Sequence, residues 1–315
     1  MDFPRRKISK RFKDRAGYYL LKANVGVLGR LPGPISRFLG NFLGLVAWFF
    51  WRGYRRLART NIRIALGDQL SSAEQSRLVR QSSQHITREF LELARWLNLS
   101  PARRRERLLV EGEENLLRAR RKGRGVMLMT AHLSNFPLAS VALTLRGIPN
   151  YFVMKQIKVK MTDDYFNRLE DRLGVKIIDL FPRSRCTREM LQALQENKVV
   201  VVALDLDAHR EGIFVDFFGK PASTYAGPLV LARRAGGVLL PAFLIRQPDR
   251  NYRLVIHPPL PVPKSKEDYP RVLRDYNHLL EDYIRRYPEQ YNWIYKRWKT
   301  RPPGEEGDKI YRKGY

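Results

Sequence analysis

Short apolar segments rich in β-branched residues alternate with helical segments between residues 125 and 260, and this alternation limits the fold more than any other feature. The clearest strand pattern is "KVVVVALDLD" at 198–207, where four valines in a row are typical of a parallel strand buried on both faces. Other predicted strands are "GVMLMTA" (125–131), "NYFVMK" (150–155), "VKIIDL" (175–180), "GVLLPAFLI" (237–245) and "YRLVIHPPL" (252–260). Strands and helices in alternation form βαβ units, so the sequence predicts an α/β fold with a mostly parallel central sheet flanked by helices.

The predicted helices lie between these strands and at the two ends of the chain. Residues 74–98 form the longest one, because its apolar side chains recur at intervals of three or four, at Ile86, Phe90, Leu93 and Leu97. Further helices are predicted at 137–147, 161–174, 185–197, 227–236 and 269–287. The arginine-rich stretch at 100–125 is predicted to be a charged helical connection.

The chain has an extreme positive charge, +28 from 59 basic and 31 acidic residues. Such a surplus attracts acidic partners, namely nucleic acid, anionic lipid headgroups or an acidic carrier protein. The sequence contains no helix-turn-helix, RNA-stacking or zinc-finger motif, so specific nucleic-acid binding is not expected. The one cysteine, Cys186, excludes an internal disulfide, fits a reducing compartment and is predicted to fill a small apolar space.

The first 60 residues are basic and rich in aromatic side chains. Their apolar run from Phe42 to Trp51 is far shorter than the roughly 20 residues that span a bilayer. Because arginines flank this run, we expect a helix that lies in the headgroup layer of a membrane; an ordinary core helix is the alternative. The predicted organisation is a membrane-associating helical segment at 1–60, an α/β domain at 61–302 and a mobile tail at 303–315.

Polar side chains follow three of the predicted strands, and α/β sheets collect their ligands beyond the carboxyl ends of the strands. His132 follows the first strand, Lys155 the second, and Asp205 and Asp207 end the fourth. We therefore expect these residues at one edge of the sheet. A histidine there can accept a hydroxyl proton near neutral pH. The alternative for His132 is a buried imidazole that binds a backbone carbonyl.

Other candidate sites are few. Ser134 and Asn135 are predicted to cap the helix that begins at Pro137, since proline suits a first helical position. No metal site is predicted, because the other histidines lack H-E-x-x-H spacing and one cysteine does not favour a zinc site. The sequence also lacks the G-x-S-x-G, P-loop and G-x-G-x-x-G motifs, so neither a nucleophilic serine nor a nucleotide cofactor is expected.

Three segments carry a resemblance to a known family. They are "AHLSNFPLAS" (131–140), "ALDLDAHREGIFVDFFGKPASTYAGPLVLARRAGGVLLPAFLIR" (203–246) and "YNWIYKRWKTRP" (291–302). In this order they resemble the lipid A late acyltransferases, the lauroyl and myristoyl transferases of the lysophospholipid acyltransferase superfamily. The likeness runs from about residue 20 to 302 and implies a glycerolipid acyltransferase-like fold.

The resemblance implies an H-x4-D/E motif, in which the histidine deprotonates an acceptor hydroxyl and the acid orients the imidazole. His132 occupies the histidine position, but Pro137 stands at the acid position and has no side-chain oxygen. In a serine-protease triad, loss of the orienting carboxylate costs about 10⁴-fold in turnover. We therefore predict that Asp205 or Asp207 supplies a carboxylate from the end of the fourth strand.

The resemblance further implies a membrane-bound acyltransferase of lipid A biosynthesis on the cytoplasmic face of the bacterial inner membrane, with no cofactor. The donor would be a long-chain acyl thioester of acyl carrier protein or CoA. The acceptor would be a hydroxyl of a lipid A precursor or a related glycolipid or lysolipid. The basic surplus fits both an acidic carrier protein and an anionic membrane. The predicted substrate contacts are Asn135, Lys155, Asn167, Arg172 and Arg185.

Pro137 also supports a second hypothesis. A chain that has lost the motif acid could be a catalytically silent relative that binds lipid or a partner protein. Binding without turnover would distinguish this protein from an active acyltransferase.

Overall fold

A computed structural model of the chain describes residues 26–155, 173–249, 251–305 and 310–311. The described helices are α1 Gly33–Phe50, α2 Arg52–Leu66, α3 Ser72–Asn98, α4 Pro101–Glu106, α5 Glu113–Arg121, α6 Leu138–Thr144, α7 Arg183–Gln195, α8 Gly227–Ala235 and α9 Tyr269–Arg286. The described strands are β1 Leu108–Glu111, β2 Val126–Thr130, β3 Asn150–Met154, β4 Lys176–Asp179, β5 Val199–Ala203, β6 Ile213–Phe217, β7 Lys220–Thr224, β8 Val238–Arg246 and β9 Tyr252–Ile256. The helix predicted at 161–174 lies almost wholly outside the described residues.

Seven strands form one sheet in the order β1-β9-β8-β2-β5-β3-β4. The five strands from β8 to β4 run parallel, whereas β9 is antiparallel to β8 and carries β1 parallel to itself. Strands β6 and β7 pair as a separate antiparallel hairpin. The predicted α/β fold with a mostly parallel sheet flanked by helices is confirmed.

The two faces of the sheet bury two apolar cores, and this explains the unbroken apolar strands. In β2, Met127 and Met129 join the core that contains Met190 of α7 and Tyr276 of α9. The alternate residues of the strand, Val126 and Leu128, face the opposite core, which contains residues of helices α5 and α6. A strand covered on both faces has no polar side, so its sequence does not alternate.

One prediction about the chain before β2 was wrong. Residues 100–125 are not a continuous helical connection, because Leu108–Glu111 forms an edge strand between two short helices. This strand pairs in register with Tyr252–Val255 of β9. Arginine-rich flanks hide the strand in the sequence, and its partner lies more than a hundred residues away, so no local pattern indicates the pairing.

The N-terminal helices pack closely on the long helix α3. The Oγ atoms of Ser83 and Thr87 donate to the carbonyls of Gly44 and Gly40 in α1, at 2.8 and 2.6 Å. A side chain at Gly44 would place its Cβ 2.4 Å from the Cα of Gln84, so only glycine permits this approach. The predicted domain boundary at residue 60 falls inside α2. Among the helices of the described residues, none combines the length and apolarity needed to cross a bilayer.

Candidate active site

The candidate site lies at the carboxyl edge of the sheet, between the adjacent strands β2 and β5. Thr130, the last residue of β2, pairs with Ala203, the last residue of β5. His132 and Asp205 each follow two residues later, so the strand register brings them side by side. Their juxtaposition was predicted from the sequence and agrees with the general position of ligand sites in α/β sheets.

Asp205 contacts His132 at two points. Its Oδ1 lies 2.8 Å from the imidazole Nδ1, and its Oδ2 accepts the backbone N–H of His132 at 3.0 Å. The carboxylate is almost completely buried, at 1% exposure, whereas the His132 side chain keeps 13%. Burial by itself raises the pKa of the Asp205 carboxyl, but the His132 contacts and the Arg297 charge outweigh it, and the net shift is downward. Asp205 is therefore an ionised hydrogen-bond acceptor at neutral pH.

Two aromatic rings flank the imidazole. The ring centroids of Phe136 and Tyr295 lie 4.6 and 4.8 Å from that of His132. Neither ring was predicted as part of the site. Tyr295 belongs to "YNWIYKRWKTRP", a segment that carries part of the family resemblance but whose residues had no predicted role.

The same C-terminal segment holds the backbone around His132. The backbone N–H of Asn292 donates to the carbonyl of His132 at 3.0 Å, and that of Ser134 donates to the carbonyl of Gln290 at 2.8 Å. Leu133 and Tyr291 form an isolated antiparallel bridge between these contacts. The histidine loop is thus paired along its length with residues more than 150 positions later in the chain.

A buried tyrosine joins the ends of the two strands. The hydroxyl of Tyr276, in α9, donates to the carbonyl of Thr130 at 2.6 Å, and the N–H of Leu204 donates to the same carbonyl at 3.0 Å. Burial and the nearby Asp205 charge raise the pKa of Tyr276 well above its usual range. Tyr276 is therefore a neutral donor that fixes the distance between the loops of His132 and Asp205.

Asp207 does not share the position of Asp205, contrary to one of the two alternatives drawn from the sequence. Its Oδ2 accepts the Thr300 hydroxyl at 2.8 Å, and its Oδ1 accepts the Thr300 N–H at 3.3 Å. The Nδ1 of His209 lies 3.1 Å from Oδ2 as well. Strand β5 ends at Ala203, before the predicted end at residue 207, and beyond it Asp207 faces the C-terminal segment instead of His132.

The predicted roles of Ser134 and Asn135 need correction. Helix α6 begins at Leu138 after Pro137, with no side-chain hydrogen bond at its N-cap. The buried Asn135 amide donates instead to the carbonyl of Glu89 in α3, at 3.1 Å. Ser134 has a left-handed backbone, with φ of 50°, which bends the loop away from helical geometry before Pro137. The Asn135 amide is therefore committed to α3, and this placement does not support the predicted substrate contact.

The remaining predicted contacts lie at the rim or outside the described residues. Lys155 follows β3 at the same edge, is exposed, and holds its ammonium 5.6 Å from the ring centroid of Phe181. Arg185, in the first turn of α7, is exposed and pairs with Glu189 through Nε and Oε1 at 2.6 Å. Lys155 and Arg185 remain predictions. Asn167 and Arg172 lie outside the described residues.

One cluster in the described part of the chain has the residue types of a metal site. Asp216, His278 and Glu281 each place one ligand atom within 4.8 Å of the others. Both Glu281 oxygens already have partners, however, the N–H of Phe218 at 2.7 Å and the Arg285 guanidinium at 2.8 Å. The guanidinium supplies the positive charge that a cation would bring, so Glu281 belongs to a satisfied ion pair within α9 and also accepts a hydrogen bond from the turn of the β6–β7 hairpin.

Comparison with known proteins identifies relatives along nearly the whole chain. A family model described as "Bacterial lipid A biosynthesis acyltransferase" matches residues 4–300. The lipid A biosynthesis palmitoleoyltransferase of Escherichia coli K12 is 29% identical, over 96% of this chain and 98% of that protein. The lipid A biosynthesis lauroyltransferase of the same organism is 28% identical, over 91% of this chain and 94% of that protein.

More distant relatives include other lipid acyltransferases. A phosphatidylinositol mannoside acyltransferase of Mycolicibacterium smegmatis is 26% identical over 70% of this chain and 72% of that protein. Among solved structures, the 1-acyl-sn-glycerophosphate acyltransferase of Thermotoga maritima aligns with 78% of this chain and 97% of its own, at 17% identity and a TM-score of 0.36.

Proposed function

Because this chain belongs to the bacterial lipid A biosynthesis acyltransferase family, we propose that it transfers a long acyl chain from a thioester to a hydroxyl of a lipid A precursor or related glycolipid, with His132 as general base. The chain is an acyltransferase, as are its named relatives. The observation that carries the proposed mechanism is the double contact between His132 and Asp205, which supplies the carboxylate that Pro137 lacks.

Asp205 determines which imidazole nitrogen can act as the base. Its ionised Oδ1 only accepts, so in the neutral imidazole that a general base requires, Nδ1 carries the proton and Nε2 has the lone pair. Among the described residues none forms a hydrogen bond with Nε2. An acceptor hydroxyl that reaches Nε2 can therefore give up its proton there.

The transfer then balances without a cofactor. As Nε2 takes the hydroxyl proton, the acceptor oxygen bonds to the thioester carbonyl carbon. When the tetrahedral intermediate collapses, the carbon–sulfur bond breaks, and the leaving thiolate takes the proton back from the imidazolium. The products are an ester and a free thiol, and Asp205 stabilises the imidazolium between the two proton transfers.

The outer face of α1 supports attachment to a membrane surface. Its exposed apolar side chains include Phe38 at 72% and Phe50 at 74% exposure, and Trp51 follows directly. Exposed Arg52 and Arg56, in the first two turns of α2, follow the C-terminal end of α1. Aromatic side chains beside arginines suit the headgroup layer of an anionic bilayer. We infer that the protein lies on the cytoplasmic face of the inner membrane, where its glycolipid acceptor would be embedded.

The donor is inferred from charge. With a net charge of +28 the protein attracts an acidic carrier. Lys155 lies on the rim after β3, a neighbour of β5 in the sheet, and Arg185 lies after β4, the next strand beyond β3. This placement favours acyl carrier protein as the donor, with acyl-CoA as the alternative thioester.

A purified-protein assay tests this function. Wild-type protein is incubated with acyl carrier protein thioesters and a lipid A precursor, and the acylated product is measured by mass spectrometry. We expect His132→Gln to remove transfer and the control His209→Gln to retain it, because His209 is exposed and its ring pairs with Asp207. Full activity of folded H132Q would contradict the assigned base.

Because Pro137 replaces the motif acid, the same assay also tests a second function, that of a catalytically silent relative that only binds its partners. If the wild-type protein binds acyl carrier protein or glycolipid but transfers no acyl chain to any acceptor, it is the silent relative. The His132–Asp205 pair favours the active enzyme, since a silent relative does not require a buried carboxylate at Nδ1.

A further inference from the structure

We propose that Arg297 is a positioning residue that sets the charge balance of the His132–Asp205 pair. This inference rests on the proposed function, because it assigns a role within the same site. The residue comes from the C-terminal segment, far from both members of the pair in sequence.

Arg297 is held rigidly next to the Asp205 loop. It is 2% exposed, and its Nη1 donates to the carbonyls of Ser223 at 2.5 Å and of Leu206 at 3.3 Å. Its Nη2 donates to the Thr224 hydroxyl at 2.6 Å. Leu206 directly follows Asp205, so the guanidinium fixes the backbone that carries the carboxylate.

The charge of this guanidinium lacks a direct ionic partner among the described residues. An arginine stays protonated in a protein, and a buried charge is costly unless an opposite charge compensates it. The hydrogen-bond acceptors of Arg297 are two carbonyls and a hydroxyl, all neutral, and its buried Nε has no partner in the described part of the chain. The anions that act on it through space are Asp205 and Asp207.

Asp205 is a buried anion and therefore also needs an opposite charge nearby. In the proposed mechanism His132 must be neutral before it can take a proton, and at that stage it supplies no full positive charge to the buried carboxylate. Asp207 is shared with Thr300 and His209. Arg297 is therefore the fixed cation that compensates Asp205 while the base is neutral.

Within the described ranges, the remaining titratable groups that act on Asp205 are phenols. Tyr276 projects from α9, and Tyr291 and Tyr295 come from the C-terminal segment; Asp205 acts electrostatically on all three. Burial raises the pKa of each phenol, so all three are neutral near pH 7. Arg297 is thus the charged group that opposes proton uptake by the pair, and Asp207 partly offsets it.

The sign of the effect follows from this arrangement. Without the guanidinium charge the pair binds its proton more readily, whichever of its atoms takes it, so the midpoint of proton uptake moves to higher pH. The fraction of enzyme with a free base at neutral pH then falls.

The test is a direct titration. Histidine-labelled wild-type protein is titrated by NMR, the His132 ring is assigned by its absence in H132Q, and Arg297→Met is compared. We expect the midpoint in R297M to rise by about one pH unit, and the acid limb of the kcat profile to move with it. A folded R297M with an unchanged midpoint would overturn the proposal.

Two further variants separate charge from packing. Arg297→Lys keeps a cation near Asp205, so its midpoint should stay at the wild-type value although kcat falls. If R297M does not fold, R297K decides, and a displaced midpoint in R297K counts against the proposal. Thr300→Val loosens the same segment without changing any charge, so a midpoint shift in T300V as large as that in R297M would also refute the electrostatic role.

The titration is independent of turnover. A shifted midpoint in R297M, together with a wild-type protein that transfers no acyl chain, would retain this inference and reject the proposed function. An active wild type together with an unshifted midpoint in R297M would retain the proposed function and reject the role of Arg297.

Discussion

Asp205 holds His132 by both its backbone and its ring, with one carboxylate oxygen 3.0 Å from the backbone nitrogen and the other 2.8 Å from Nδ1. The backbone contact fixes where the loop leaves β2, and the ring contact fixes how the imidazole is turned. A carboxylate attached five residues after the histidine would come from the same loop. Here it comes from the neighbouring strand, so the rigid sheet sets its distance.

Asp205→Asn should lower kcat by about 10³- to 10⁴-fold with little change in KM. The amide cannot offset the imidazolium charge, and it can hold the wrong tautomer through its NH₂ group. Steady-state acyl-transfer kinetics measure the loss. Asp207→Asn is the matched control, since its contacts go to Thr300 and His209, and an equal loss in D207N would count against the assignment of Asp205.

Pro137→Glu restores an acid at the position that the family resemblance indicates. The Pro137 backbone, with φ of −60° and ψ of −25°, accepts any residue. We expect no gain in the wild-type background, because Asp205 already occupies Nδ1, but about tenfold or greater recovery of kcat in D205N. Equal kcat in D205N and the double variant would show that position 137 no longer reaches the imidazole.

Removing the apolar face of α1 should weaken membrane binding without affecting the fold. For the double variant Phe38→Ser with Phe50→Ser, we expect at least about tenfold weaker partitioning, since each partly buried aromatic ring contributes on the order of 1 kcal/mol. Co-sedimentation with phosphatidylethanolamine–phosphatidylglycerol vesicles measures this. Leu109→Ser, on edge strand β1 and 50% exposed, is the control. Equal vesicle binding of the wild type, the double variant and L109S would exclude α1 as the membrane face.

Two helical glycines should respond differently to alanine. Gly44→Ala places a Cβ against the backbone of Gln84 in α3, so the free energy of unfolding should fall by about 2 kcal/mol. Gly53→Ala meets no atom closer than 3.8 Å and should leave stability unchanged or raise it by up to about 0.5 kcal/mol. Denaturant unfolding of both variants checks the α1–α3 contact. Similar stabilities for the two would mean that the helices are not this close.

Cys186 should be inert in the native protein. Burial, with the nearby Glu189 and Asp179 charges, raises the pKa of its thiol to about 11, and the side chain is 2% exposed. Because the thiolate is the reactive form, alkylation by iodoacetamide should be slow at pH 8 and rise only as pH approaches 11 or as the protein unfolds. Rapid stoichiometric labelling of folded protein at pH 8 would contradict this placement.

The sequence was sufficient for the elements that depend on local periodicity. The unbroken apolar run of β5 requires a strand covered on both faces, and that strand was found. The helix predicted at 74–98 was found as well, but the predicted apolar stripe is not its buried side, because Phe90 is 48% exposed whereas Glu89 and Trp96 are buried. The carboxyl-edge rule was also enough to bring His132 and Asp205 together, because strands that end at one edge must present their next residues there. Cys186 was likewise predicted correctly as a buried filler.

The tertiary structure decided what depends on contacts between distant segments. Strand β1 exists because β9 offers it an open edge, and no pattern within four residues could indicate that partner. The choice of Asp205 over Asp207 depends on the chain leaving β5 after Ala203, a turn that fixes which carboxylate meets the imidazole. The second half of the site, from Gln290 to Arg297, lies in a segment that carries part of the family resemblance, but its residues predicted no contact with His132 or Asp205. This segment contacts His132 and Asp205 only because α9 returns the chain to the end of β2. The effect of its buried charge depends on the groups that surround it in space, and these are distant in sequence.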